Sequence, residues 1–190
     1  MMTVATTQAL QSRSSRLLKE GLLVLSCSLL LGLCSKISIP LFFTPVPISI
    51  QNFCILFLSL FLGSRKCFAA VFCLLAQAAL GFPVLSSGAI GLAGFFGPTG
   101  GYLMGYLAAS FVTGYLIERM GKKTWLTASF AMAVGNGIIY LLGFSYLSTF
   151  VGIKSAFLLG IAPFLLGDLV KFFVVLKALQ LSGWNKSSCR

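Results

Sequence analysis

Six apolar stretches divided by short basic clusters leave this chain few ways to fold. Crossing the hydrocarbon layer of a bilayer takes about 20 predominantly apolar residues in a helix. Such stretches run from about Leu17 to Lys36, Ile48 to Gly63, Arg65 to Phe82, Pro98 to Arg119, Thr124 to Phe144 and Pro163 to Leu181. The last is started at Pro163 because proline suits the first helical position. The expected fold class is an all-α membrane protein, a six-transmembrane-helix bundle forming one domain over residues 1–190. Long extracytoplasmic loops, including residues 145–162 with room for a short helix, would cap a ligand pocket. Residues 1–12, rich in Thr, Gln and Ser, are expected to form a mobile cytoplasmic tail.

Charge supports this and sets the orientation. Only 9% of the residues are charged, against about a quarter in soluble domains, so a water-facing surface cannot be covered. Arg13, Arg16, Lys19, Arg65, Lys66, Arg119, Lys122, Lys123, Lys177, Lys186 and Arg190 fall on one side of the expected spans, Lys36 and Lys154 on the other. Basic residues collect on the cytoplasmic side, which puts both termini there, in a multi-pass cell-membrane protein. The net charge of +11 is thus read as membrane topology and not as a nucleic-acid surface.

The same composition narrows the chemistry. Histidine is absent, which removes imidazole bases, Ser-His-Asp triads and histidine metal sites. The acidic residues Glu20, Glu118 and Asp168 are far apart in sequence, and the six cysteines form no Cys-x-x-Cys pair. No metal or cofactor site and no enzyme is expected. No Gly-x-x-x-x-Gly-Lys-Ser/Thr loop is present either, so any ATP-driven work needs a partner.

Four features collect polar or small residues. A proline-stiffened loop from Ile39 to Pro47 leads to Gln51, either as a plain connection or as a cap over a site. A glycine-rich loop ends in Gly97-Pro98-Thr99-Gly100-Gly101-Tyr102, where Pro98 is expected to start a helix. Its exposed amides could receive an anion, or its glycines could serve close helix packing. Asp168 and Lys171 stand at i, i+3 within an apolar span, about 7 Å and about 12 Å from its outer end at ~1.5 Å per residue. Intramembrane charge is costly, so this pair either braces helices or binds a polar ligand, the second being preferred. Ser28 and Gly32 have a spacing that admits a neighbouring helix, from this chain or from a partner subunit.

Five segments in this order resemble the BioY family: Ile37-Ser38-Ile39-Pro40, Thr44-Pro45-Val46-Pro47-Ile48 with Gln51, Gly81-Phe82-Pro83-Val84, Gly97 to Tyr102, and Gly167-Asp168-Leu169-Val170-Lys171. The resemblance runs from the first span to the last. It implies the substrate-binding (S) subunit of an energy-coupling-factor (ECF) vitamin transporter, taking biotin from outside with high affinity. Its implied partners are a transmembrane coupling subunit and two cytoplasmic ATPases, with Ser28 and Gly32 on the docking face. Asp168 would accept from the ureido N–H of biotin and Lys171 would donate to the ureido oxygen. Tyr102 and Phe96 would wall the rings, and the start of the fourth span (Thr99, Gly100, Gly101) would receive the valerate carboxylate. Gln51, Ser86 and Ser87 complete the candidates. Here Ser86-Ser87-Gly88-Ala89-Ile90 replaces a loop that in many relatives is richer in glycine or carries an amide. Other readings are an S subunit for riboflavin or thiamine, and a small ion-coupled carrier.

Overall fold

The computed structural model describes residues 2–39, 42, 44, 46–86, 91–121, 124–161, 164, 168 and 177, with the backbone alone at 2–14 and Ile48. In chain order these form α1 (Met2–Ser35), β1 (Ser38–Ile39), β2 (Ile48–Ser49), α2 (Gln51–Ala79), α3 (Ala93–Phe96), α4 (Gly100–Met120), α5 (Trp125–Val151) and α6 (Ile153–Gly160). The fold is all-helical apart from the antiparallel ribbon of β1 and β2, which pairs Ser38 with Ser49 and Ile39 with Ile48. Phe164, Asp168 and Lys177 are also helical; the other residues of the expected sixth span lie outside the described ones.

α2 is two helices joined at a sharp turn. Gly63 has φ 77 and ψ 178, a conformation open to glycine but strained for other residues. The chain folds back there. The Cys67 thiol lies 3.1 Å from the Ser59 hydroxyl and 3.7 Å from the Ile55 carbonyl oxygen. In one straight helix Ile55 and Cys67 would stand about 18 Å apart at ~1.5 Å per residue. The break falls between the second and third expected spans. α1, α2 and α5 are long and apolar enough to cross a bilayer, but this geometry makes α2 two shorter arms.

Glu118, at the end of α4, holds that turn. Its Oε1 accepts from the Ser64 N–H and its Oε2 from the Ser64 hydroxyl, both at 2.8 Å. A carboxylate at a helix start meets unpaired N–H groups and the positive end of the dipole, and here it caps the second arm of α2. Lys66 pairs with Glu20 of α1 at 3.1 Å. These contacts gather Lys19, Arg65, Lys66 and Arg119 at one end of the bundle, the basic end.

α4 and α5 pack through small residues. A Cβ at Gly101 would overlap the Tyr146 side chain, one at Gly105 would come within 3.0 Å of the Ile139 backbone, and one at Gly135 would overlap Thr113. Small residues one turn apart let helix backbones approach closely, which matters where lipid supplies no hydrophobic drive between helices. Leu60, Leu74, Met132 and Ile139 fill the core between the α2 arms, α4 and α5. Leu18, Leu33, Leu126 and Leu141 are instead more than half exposed. Long apolar helices with such a surface belong in lipid, as a membrane protein.

Three expectations need correcting. α1 begins at Met2, so the backbone of the residues expected ahead of the first span is helical and continuous with it. α4 begins at Gly100 with Thr99 as its N-cap, since the Gly100 N–H already bonds back to the Gly97 carbonyl and leaves Pro98 in the preceding turn. α5 continues past Phe144 to Val151, which shortens the expected loop, while α6 is the short helix that the loop was expected to allow. α5 does start as expected, where Thr124 and Thr127 cap each other's backbone N–H reciprocally.

Candidate ligand-binding site

Away from the basic end, polar side chains meet between α4, α5 and the helical residue Asp168. Asn136 and Tyr140 stand four residues apart on α5 and so share one face. Asn136 Nδ2 donates to Asp168 Oδ2 at 2.9 Å, and the Tyr140 hydroxyl makes a short hydrogen bond to the same oxygen. Tyr102 and Tyr106 of α4 lie within electrostatic range of this group. Ile139 lies against Gly105, which sets Asp168 near the level of Gly105. That level is about 7 Å below the first residue of α4, at ~1.5 Å per residue.

An anionic oxygen holding two donors from one helix fixes the carboxylate's direction, and charge-assisted bonds of this kind are the stronger ones. The amide assignment follows from chemistry. A carboxylate only accepts, so Nδ2 must face it and Oδ1 must point elsewhere. Asn136 Oδ1 is buried and has no hydrogen-bond partner among the described residues. Lys171, the other half of the expected pair, lies outside the described residues, as does Ser87.

The remaining candidates divide. Gln51 is fully buried, and its Nε2 donates to the Leu31 and Val84 carbonyls at 3.2 Å each, tying α2 to α1 and to the following loop. Gln51 Oε1 is without a partner among the described residues. Ser86 is half-buried in that loop. The Tyr102 ring fills a slot left by Gly143 and Gly160, and its hydroxyl donates to the Gly160 carbonyl at 3.0 Å, clamping α6. Thr99 is buried at the α4 start. The Tyr102 N–H returns to the Thr99 carbonyl, so part of the expected anion-binding turn is spent internally. A Cβ on Gly100 would overlap the Phe95 carbonyl, and one on Gly101 would overlap Tyr146. These two glycines serve packing.

Placement bears on two further candidates. Phe96 is 74% exposed on α3, and its neighbour Phe95 is the one packed on the core. Ser28 is completely buried, and Gly32 faces Val84 and Leu74, so this small-residue face is occupied within the chain. Of the proline loop, Thr44 makes two described contacts. The Thr44 hydroxyl donates to the Leu159 carbonyl at 2.8 Å and accepts from the Val46 N–H, latching the ribbon's loop to α6.

Asn136 and Tyr140 were missed from sequence. A signal existed, since an asparagine within the apolar fifth span is as anomalous as a charge in kind, though weaker in degree. Glu118 was likewise read only as an isolated acid.

Comparisons with known proteins agree on one family. The sequence profile described as the BioY family matches residues 5–186. The biotin transporter BioY of Rhizobium etli is 40% identical over 153 residues, covering 76% of this chain and 80% of the relative. That of Thermotoga maritima is 39% identical over 147 residues, covering 76% and 85%. A crystal structure of the S-component for biotin from an ECF-type ABC transporter superposes with a TM-score of 0.76 at 25% identity, covering 93% of this chain and 98% of the other. A profile spanning nearly the whole length, with relatives of this similarity and a shared fold, leaves one conclusion: the chain belongs to the BioY family.

Proposed function

We propose that this protein is the biotin-binding S subunit of an ECF-type vitamin importer, and that it is a transport protein with no catalysis or cofactor of its own. Biotin is taken up at the end of the bundle opposite the basic clusters, which face the cytoplasm in a six-span arrangement with both termini inside the cell membrane. The energy comes from a transmembrane coupling subunit and two ATPases. With Ser28 and Gly32 turned inward, docking on such a partner by α1 falls to its outward-facing residues.

One observation carries the reading: a carboxylate, Asp168, held by Asn136 and Tyr140 inside an apolar bundle of BioY type. Biotin's ureido ring presents two N–H donors and one carbonyl acceptor. Asp168 accepts from the ring N–H, and Lys171, three residues on in the sequence, donates to the ring oxygen. The α4 start, with Thr99, remains the candidate for the valerate end. The relatives named as biotin transporters and the S-component for biotin support this choice of ligand.

The test is calorimetric titration of biotin into the purified protein in detergent, with desthiobiotin and riboflavin as competitors. Saturable biotin binding, displaced by desthiobiotin and not by riboflavin, is expected. Displacement by riboflavin, or no biotin binding, overturns the assignment.

A further inference from the structure

Asn136 has a buried acceptor that its scaffold role does not use. An asparagine side chain carries both an N–H donor end and a carbonyl acceptor end. Here Nδ2 is committed to Asp168, while Oδ1 is enclosed and has no partner among the described residues. Enclosing a carbonyl oxygen away from water without a donor is unfavourable, so it calls for a donor from elsewhere. Ser28 Oγ, Gln51 Oε1 and Gln77 Oε1 are in the same condition, but none of them is bonded to the Asp168 group. Only the Asn136 oxygen lies one amide group away from a carboxylate already aimed by two donors.

We infer that Asn136 Oδ1 is the second acceptor of the ligand-binding site, taking one N–H of a cyclic urea while Asp168 takes the other. Tyr140 acts as a positioning residue, holding Asp168 Oδ2 so that carboxylate and amide oxygen present themselves together. The inference rests on the biotin reading above and deepens it. A urea has two divergent N–H groups on one rigid ring, and a single fixed carboxylate leaves one of them without a partner. A second acceptor beside the carboxylate also explains selectivity. A ligand lacking either N–H leaves a buried oxygen unpaired, and that is the strongest form of discrimination a polar pocket offers.

The experiment uses the full chain in detergent and three ligands: biotin, and two lactam analogues in which one or the other ureido N–H is replaced by CH2. For Asn136→Leu, affinity for biotin should fall about 10-fold or more, the loss expected for one buried hydrogen bond. Against the lactam that lacks the N–H facing Asn136 the variant should lose several-fold less than against biotin, because that bond is already gone and only the aiming of Asp168 by Nδ2 changes. Tyr140→Phe should weaken biotin and that same lactam, which keeps the N–H facing Asp168, while the lactam without that N–H is little affected. Equal loss of all three ligands in Asn136→Leu would mean a scaffold role only and overturns the inference, as does unchanged biotin affinity. If Asn136→Leu does not fold, Asn136→Ala is read by the same ratio. Failure of the alanine variant to fold even with biotin present would also assign the amide to the scaffold. Wild type that ignores biotin refutes the ligand reading itself, whereas wild type that binds with Asn136→Leu unaffected refutes only this inference.

Discussion

Glu118 and Asp168 are both carboxylates that accept two hydrogen bonds across a helix contact, yet they are put to different use. Glu118 spends one oxygen on the Ser64 N–H and the other on the Ser64 hydroxyl, closing a cap on a single residue at the basic end. Asp168 receives Asn136 and Tyr140 on the same oxygen, and one of those donors keeps a buried acceptor in reserve. The first arrangement is complete within the protein. The second leaves the Asn136 amide oxygen without a partner among the described residues. The difference teaches that a carboxylate in a bundle is not a functional mark by itself; the state of its partners is.

The comparison can be broken most severely at Asp168. Asp168→Asn removes the charge that the ligand's N–H would meet, and leaving one partner of a buried pair costs about 3–5 kcal/mol. Biotin affinity measured by calorimetry should fall on the order of 100-fold or more. Unchanged affinity would place Asp168 with Glu118 as a brace.

A smaller effect is expected at the packing that positions the site. Gly143→Leu drives a side chain into the Tyr102 ring. Overpacking of this kind costs about 1–3 kcal/mol. Thermal unfolding in detergent should shift downwards, and α6 should loosen because the Tyr102 clamp on Gly160 is lost; faster amide exchange over residues 153–160 would report it. A normal melting temperature would show that the seam has room to spare.

Glu118→Ala should act on stability alone. Loss of a helix cap costs about 1 kcal/mol, so the melting temperature should drop while biotin affinity stays at the wild-type value. Loss of affinity would tie the basic end to the site. Smallest of all is the Glu20–Lys66 pair, whose side chains are 57% and 45% exposed. Exposed pairs contribute roughly 0–1 kcal/mol, so Lys66→Met should change the melting temperature little, and less still in high salt.

Much of this architecture was legible in the sequence because membrane constraints are strict. A charge in an apolar run is costly wherever it sits, so Asp168 stands out from its apolar neighbours alone. The basic pair Arg65–Lys66 marked the break in α2 almost at Gly63. Other features were hidden by long-range geometry. Glycines at 100 and 101 look alike whether a ligand or a helix approaches them, and only the positions of Phe95 and Tyr146 decide for packing. The Ser28–Gly32 spacing reports that something comes close but not whose helix it is, and Val84 and Leu74 answer that from within the chain. Asn136 and Tyr140 carry no charge, so their link to Asp168, 32 and 28 residues away, left no trace in local pattern.

The central claim is that the Asp168 group belongs to the ligand and the Glu118 group to the scaffold. It is tested most directly by the rise in melting temperature that saturating biotin produces in wild type, Glu118→Ala and Asp168→Asn. A ligand that binds only the folded state raises stability according to its affinity, so the rise reads binding separately from basal stability. Wild type and Glu118→Ala should gain equally, the latter from a lower starting point, and Asp168→Asn should gain almost nothing. A full gain in Asp168→Asn, or a gain lost in Glu118→Ala, would contradict the account.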